Sequence, residues 1–302
     1  MTSSGQFAIA TASYRGDLER CRLLCASIDH FVSGLSTHYL LVEDRDVALF
    51  SALAGPRRRV IAESELFPRW LQSWPDPLSL GRRRVWTGAG ALRRGLAPLR
   101  GWHTQQLRKL ALPRHVAEDV LFYADSDAVF LKPYDLSQQR CEGGVRLYRK
   151  PDGITRSMPE HVKWTQAAAR LLDLPEPSFP AADYINNLPT WTRANGRALL
   201  ERIEVTTGAD WISAVAADRA FSEMMLYGMF VDQVLGPRAG HLATACELSR
   251  TFWSKADVGP DTFRDGAGLL SAGQVSIGVQ SFIGVPLDQL WAVFRQAAAL
   301  RG

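Results

Sequence analysis

Asp125 and Asp127 stand one residue apart inside the apolar run VLFYADSDAVFL, residues 120–131. Residues 120–123 are too few, and too rich in β-branched and aromatic side chains, for a helix; they predict a buried strand. Alternate residues of a strand share a face, which would send both carboxylates out together. Two acids beside an apolar core are costly to leave bare, and a divalent cation would neutralise both. The chemistry this pattern offers is metal binding.

The tripeptide alone carries little, because a chain of 302 residues with 19 aspartates supplies such pairs by chance. A second pair, Asp44 and Asp46, follows the apolar run Tyr39 to Val42 and precedes VALFSAL, which predicts a helix. Asp44 therefore reads either as a strand end with a helix cap or as a ligand contact. Glu223 precedes an apolar stretch ending in Tyr227-Gly228, surroundings that tune a carboxylate's proton affinity. It is a candidate general base, unless Asp218 caps the helix and Glu223 faces solvent.

Composition limits the classes. With 46% hydrophobic residues the chain can bury a substantial core, as one domain or two joined halves. No stretch approaches the roughly 18–20 apolar residues of a membrane span. The opening MTSSGQFAIATAS lacks the basic start and long apolar segment of a signal peptide. Cys21, Cys25, Cys141 and Cys246 form no paired zinc knuckle, and Cys21 and Cys25, one helical turn apart, read as core filling. The expectation is a cytoplasmic, reduced protein. Basic residues thicken from Arg57 to Arg114, which suits a phosphorylated ligand, an anionic membrane surface, or plain solvent. Nucleic acid is not expected, since no binding motif accompanies the charge.

The elements that must position these residues alternate. Strands are expected at Phe7 to Thr11, His38 to Val42 and Arg59 to Ala62, with helices at Leu18 to Phe31 and Val47 to Leu53. That order predicts an α/β sheet whose strand C-terminal ends gather the chemistry. Residues 66–100, rich in Pro, Gly, Trp and Arg, read as a long loop or lid. A helix from Gly101 to Leu112 leads into the Asp125/Asp127 strand, with Gln105, Gln106 and Lys109 on neighbouring faces. Later helices are expected at Val162 to Leu172, Arg193 to Ile203, Arg219 to Val231 and Leu287 to Leu300, the last packing on the body or touching a membrane surface. Tyr184 to Trp191 reads as an edge strand broken by Pro189, and Val275 to Val279 as a late strand.

Taken in order, an N-terminal strand with a Ser-Tyr turn, GWxxQQLxKL, strand-DSD, NNxPxW and SExxLYG resemble a bacterial family of uncharacterised glycosyltransferase-like proteins. That family has a GT-A, nucleotide-sugar-binding fold: α/β, Rossmann-like, a mixed central sheet flanked by helices. The resemblance spans roughly residues 7–253. More distantly the chain is similar to glycogenin-type glycosyltransferases. The resemblance implies a single GT-A-type domain over 1–302, with a donor half at 1–135 and an acceptor half at 136–302. It implies that Asp125 and Asp127 hold Mn²⁺ or Mg²⁺ bridging the diphosphate of a nucleotide sugar, with uridine as the default base. It sets the Thr11 to Asp17 loop against the nucleotide, Tyr14 stacking on the base and Asp44 near base or ribose. Gln105, Gln106 and Lys109 would lie beside the donor, and Glu223 would be the base of an inverting transfer. Asn186 and Asn187 would meet sugar hydroxyls, unless they only make a turn, and Trp191 would pack on a sugar face. His241 is a candidate third metal ligand, and His103, inside the GW helix, is likewise a candidate. The acceptor, a polysaccharide, glycolipid or small molecule, stays open.

Two other classes compete. Haloacid-dehalogenase-like phosphatases also place D-x-D after an apolar strand, with the first Asp, here Asp125, as nucleophile; that motif opens its domain, whereas here about 120 residues precede it. A non-catalytic GT-A scaffold would bind sugar or protein without turnover. A sugar-nucleotide pyrophosphorylase would need a Gly-rich N-terminal phosphate loop, and ATASYRGD is not one.

Overall fold

The computed structural model describes residues 6–73, 86–87, 99–259, 261–264 and 267–300. Most of the loop expected over 66–100, with Arg82, Arg83, Arg84, Arg93 and Arg94, lies outside the described residues. The first half carries β1 (Phe7–Ala12), α1 (Leu18–Phe31), β2 (Leu35–Val42), β3 (Arg58–Ala62), α2 (Gly101–Ala111), β4 (Val120–Tyr123) and β5 (Ala128–Phe130). The second half adds α3 (Pro159–Leu172), β6 (Thr190–Thr192), α4 (Arg193–Thr207), α5 (Trp211–Ala217) and α6 (Glu223–Met229). It closes with β7 (Ser249–Phe252), β8 (Ser276–Val279) and α7 (Leu287–Ala299).

Five strands form the central sheet in the order β6-β4-β1-β2-β3. β4, β1, β2 and β3 run parallel, and β6 joins β4 antiparallel, so the sheet is mixed α/β as expected. Period-two alternation sorts its side chains. Ala8, Ala10, Leu121 and Tyr123 face the larger core under α2, α3, α4 and α6, while Phe7, Ile9, Val120 and Phe122 face α1. A second sheet, β7-β8-β5, continues from the end of β4 and ties the late strands to the first half. No helix among the described residues is long and apolar enough to cross a membrane.

Several boundaries differ from expectation. The helix expected from Arg219 starts only at Glu223, because Ser222 takes the N-cap and its Oγ accepts from Met225 N–H. The alternative in which Asp218 caps this helix and Glu223 faces solvent is not met, since Ser222 caps it and Glu223 is buried. Tyr184 to Pro189 is loop, and pairing to β4 begins at Thr190, past the proline that lacks a donor. Basic residues between 57 and 114 are not simply solvated. Arg108 donates to Glu63 at 2.6 Å, both side chains buried, and Arg58 reaches Asp29 at 2.8 Å and His38 at 3.1 Å. Cys21 and Cys25 are buried free thiols, as core filling requires.

Candidate functional site

The aspartate pair sits beyond its strand, not on it. β4 ends at Tyr123, and Ala128 N–H donates back to Asp125 O at 3.0 Å, closing a tight turn over 125–128. The same-face argument for a strand therefore does not bring the carboxylates together; the turn does. Val279 N–H donates to Asp127 O at 3.0 Å, pinning the turn to β8. The turn lies at the carboxyl end of parallel strands, beside the loop after β1, where open α/β sheets collect ligands.

Lys109 reaches this turn from α2. Its Nζ lies 2.6 Å from Asp125 Oδ1 and 3.0 Å from Glu223 Oε1, and its side chain is nearly sealed. Burial alone would weaken the ammonium's hold on its proton, but Asp125 and then Glu223 outweigh it, so Lys109 stays charged. The frame around it is built from α2 and α6. Gln106 Oε1 accepts from Glu223 N–H at 3.0 Å, and Tyr123 Oη donates to Lys109 O at 3.0 Å. Gln105 lines the same cleft and donates to Ala12 O at 3.2 Å.

The cleft holds about 220 Å³. Asp17, Asp125, Asp127 and Glu223 line it against a single ammonium, Lys109, among the described residues. Burial, then Asp125 and Asp17, push the Asp127 carboxyl up to about 7. Asp17 is also raised, first by burial. Asp127 Oδ1 is buried without a hydrogen-bond partner, and Asp125 Oδ1 meets Lys109 only as an ion pair, off hydrogen-bond geometry. No group of three or more His, Cys, Asp or Glu among the described residues is placed to hold a metal. Asp125 and Asp127 thus fit a hard cation as a partial oxygen shell that substrate and water oxygens would complete.

That geometry predicts a pH dependence. In the metal-free protein Asp127 has a raised folded-state value, so the folded chain holds more protons than the unfolded one between 3.8 and about 7. Its contribution to stability is present below that window and is lost as pH rises through it. A cation needs the ionised carboxylate, so thermal stabilisation by Mn²⁺ is expected to grow from pH 5.5 to 7.5, with proton release on binding. Melting curves across that range check this, and a Mn²⁺ shift independent of pH would contradict it.

Other expected site residues are placed differently. Thr11 is fully buried, its Oγ1 2.9 Å from His38 Nε2, so its side chain does not face the cleft. Trp191 is also buried, because β6 turns it into the core; it stacks on Tyr227 at 4.4 Å and meets Tyr123 at 4.7 Å, leaving no face for a sugar. His241 lies 2.7 Å from Tyr227 Oη, with Nδ1 3.0 Å from Val145 O, and burial pushes it down to about 4. It is a half-buried imidazole that does not line the cleft holding the aspartates. His103 Nε2 lies 2.9 Å from Arg219 O.

Asn186 lines the cavity beside this cleft while its amide also makes the turn, accepting from Leu188 N–H at 2.9 Å and donating to Tyr184 O at 3.3 Å. Asp44 is exposed just past β2 and accepts from Ser64 N–H at 3.3 Å and its hydroxyl at 2.5 Å; it does not cap the helix that follows it. Asp46 is the buried one and holds the loop after β1, accepting from Arg15 N–H at 2.9 Å and Nε at 2.7 Å. Tyr14, on that loop, is 45% exposed and folds its ring over Gly16, where an added Cβ would lie 2.5 Å away.

Asn187 does reach the cleft, buried, with Nδ2 unpartnered. Gly278 makes room for it: a Cβ there would lie 1.6 Å from Asn187 Nδ2. Gly278→Ala is therefore expected to expel the Asn187 amide and destabilise the fold by about 1–3 kcal/mol; unchanged urea unfolding would contradict that. Sequence reasoning gave no separate role to Asp17, the end of the Thr11 to Asp17 loop, or to Trp102 of GWxxQQLxKL, and it missed Trp164 and Trp253 in the cleft walls, which no motif marks.

The model of a family of unknown function, DUF6492, matches residues 7–251. No curated protein matches the chain. Among solved structures, the apo form of mouse xyloside xylosyltransferase 1 is similar, with a TM-score of 0.48 at 11% identity, covering 93% of this chain and 100% of that one.

Proposed function

We propose that this chain, which belongs to DUF6492, a family of unknown function, is a metal-dependent glycosyltransferase acting on a nucleotide-diphosphate sugar. The observation that carries the reading is the charge of the cleft. Among the described residues, four carboxylates and one ammonium line it; that ammonium is already engaged by Asp125 and Glu223, and Arg20, which acts on Asp17 and Asp127 from outside the lining, leaves the carboxylates in excess. A diphosphate entering such a cleft would be repelled unless a cation came with it.

Asp125 and Asp127 would hold Mn²⁺ or Mg²⁺, which offsets the negative charge that grows on the departing diphosphate. Lys109, fixed between Asp125 and Glu223, orients both carboxylates. The acceptor hydroxyl oxygen bonds to the anomeric carbon as the bond to the diphosphate breaks. The nucleoside diphosphate leaves with that electron pair, and Glu223, in the cleft wall, takes the hydroxyl proton. Gln105 and Gln106 lie beside the donor, and the exposed Tyr14 ring and Asp44 sit on the strand-end loops where a base and ribose would rest, with a uridine donor as default.

The test is release of nucleoside diphosphate from a panel of nucleotide sugars, with Mn²⁺ and with chelator. Metal-dependent release with one nucleotide class supports the reading, and release indifferent to chelator sinks it. Glu223→Gln is expected to keep donor binding while slowing transfer at least about tenfold. Normal transfer in that variant would remove Glu223 as the base.

A further inference from the structure

A second cavity, about 450 Å³, opens beside the first and shares Trp164, Ile185, Asn187 and Trp253 with it. Its remaining walls come from Tyr148 and Lys150, from Met158 and His161 at the start of α3, from Asp183 and Asn186, and from the stretch 247–251 that leads into β7. The lining is aromatic and hydrogen-bonding, with little positive charge. The chain has 35 Lys and Arg in all, yet among the described residues only Lys150 of these lines the cavity, paired in register with Asp183 across two strands. Asp183 and Glu247 both line it, and Tyr148 Oη donates to Glu247 at 2.9 Å.

Two buried side chains in its wall have no partner. Ser249 is 4% exposed and Asn187 3%, and Ser249 Oγ and Asn187 Nδ2 make no hydrogen bond. A buried donor left unmade is unfavourable, and a ligand bearing several hydroxyls would recover the loss. Trp253, 51% exposed, and Trp164 offer flat apolar faces at the boundary between the cavities. Aromatic faces with carboxylate acceptors and neutral donors suit a pyranose ring. Among the described residues a phosphorylated ligand would meet two carboxylates against Lys150 and His161, which already act on Asp183, and no arginine, the residue that best grips phosphate.

We infer that this cavity binds an uncharged oligosaccharide and presents one of its hydroxyls to the neighbouring cleft as the acceptor. Its role as acceptor site rests on the transferase reading; its affinity for a neutral glycan does not. The shared residues then act at the junction, where Asn187 faces both ligands.

Saturation-transfer NMR on the full chain would test this without any donor, using uncharged di- and trisaccharides of gluco, galacto and manno configuration and their phosphorylated counterparts. At least one neutral saccharide is expected to bind. Asp183→Asn/Glu247→Gln, which keeps the shape of both side chains, is expected to weaken it about tenfold or more, the order of one charge-assisted hydrogen bond. The Mn²⁺-dependent response to nucleotide sugar should be unchanged in that variant. Absence of neutral-saccharide binding, tighter binding of the phosphorylated forms, or binding indifferent to the double substitution would each overturn the inference. Failure of the nucleotide response with saccharide binding intact would strike the transferase reading alone and leave the glycan site standing.

Discussion

Lys109→Met is expected to unfold more easily and to lose transfer altogether. Lys109 and Glu223 are each 5% exposed, and Asp125 lies on the other side of the ammonium. Removing the cation leaves two carboxylates facing each other in a poorly hydrated site, and breaking a buried pair this way costs about 3–5 kcal/mol. The diagnostic is the double variant. Lys109→Met/Glu223→Gln removes one charge from each side, so urea unfolding should recover part of the lost stability while transfer stays absent. A Lys109→Met protein as stable as the parent would mean that the ion pairs carry no weight in the fold. Recovery of transfer in the double variant would mean that Lys109 has no positioning role.

Asp127→Asn is expected to separate stability from function. With its carboxyl pushed up to about 7 and Oδ1 buried without a partner, Asp127 is an unfavourable group in the metal-free fold at neutral pH. The isosteric amide removes that penalty, so the metal-free variant should melt at or above the parent at pH 7.5, and the two should converge toward pH 4. Transfer should fall by roughly 10²–10³-fold or more, since the cation's several kcal/mol of charge stabilisation go with its ligand. A variant that melts lower and keeps full turnover would reverse both halves. Such a trade, local strain retained where a ligand will bind, is common at functional sites.

How much of this was legible in the chain follows from how local each signal is. Leu18–Phe31 and Val120–Tyr123 have the bounds their periodicity predicts, because short-range apolar patterning fixes them. The SExxLYG helix begins where Ser222 can cap it, a signal present in sequence but outvoted by the longer apolar run. The aspartate pair lies in the cleft on a turn and not on the expected strand: nothing within DSDAV says whether the chain stays extended or turns. Trp191 could not be told from a surface aromatic until β6 paired with β4 and set it between Tyr123 and Tyr227. Lys109, Asp125 and Glu223 span more than a hundred residues, and the contacts that lock them are tertiary. The second cavity is the least legible part. Its walls come from the stretches around 148–164, 183–187 and 247–253, and of these only the second carries part of a motif, the Asn186-Asn187 start of NNxPxW.

The central claim is that this cleft takes a nucleotide sugar through a cation held by Asp125 and Asp127. Thermal melting of the parent protein with a panel of nucleotide sugars, each with Mn²⁺ and with chelator, tests it most directly. A ligand that binds only the folded state stabilises it by about 2.7 kcal/mol at one hundred times its Kd. The account predicts a rise in melting temperature with one nucleotide class in the presence of Mn²⁺, absent with chelator and absent in Asp127→Asn. No rise with any nucleotide sugar, or a rise that survives both chelator and Asp127→Asn, would contradict it.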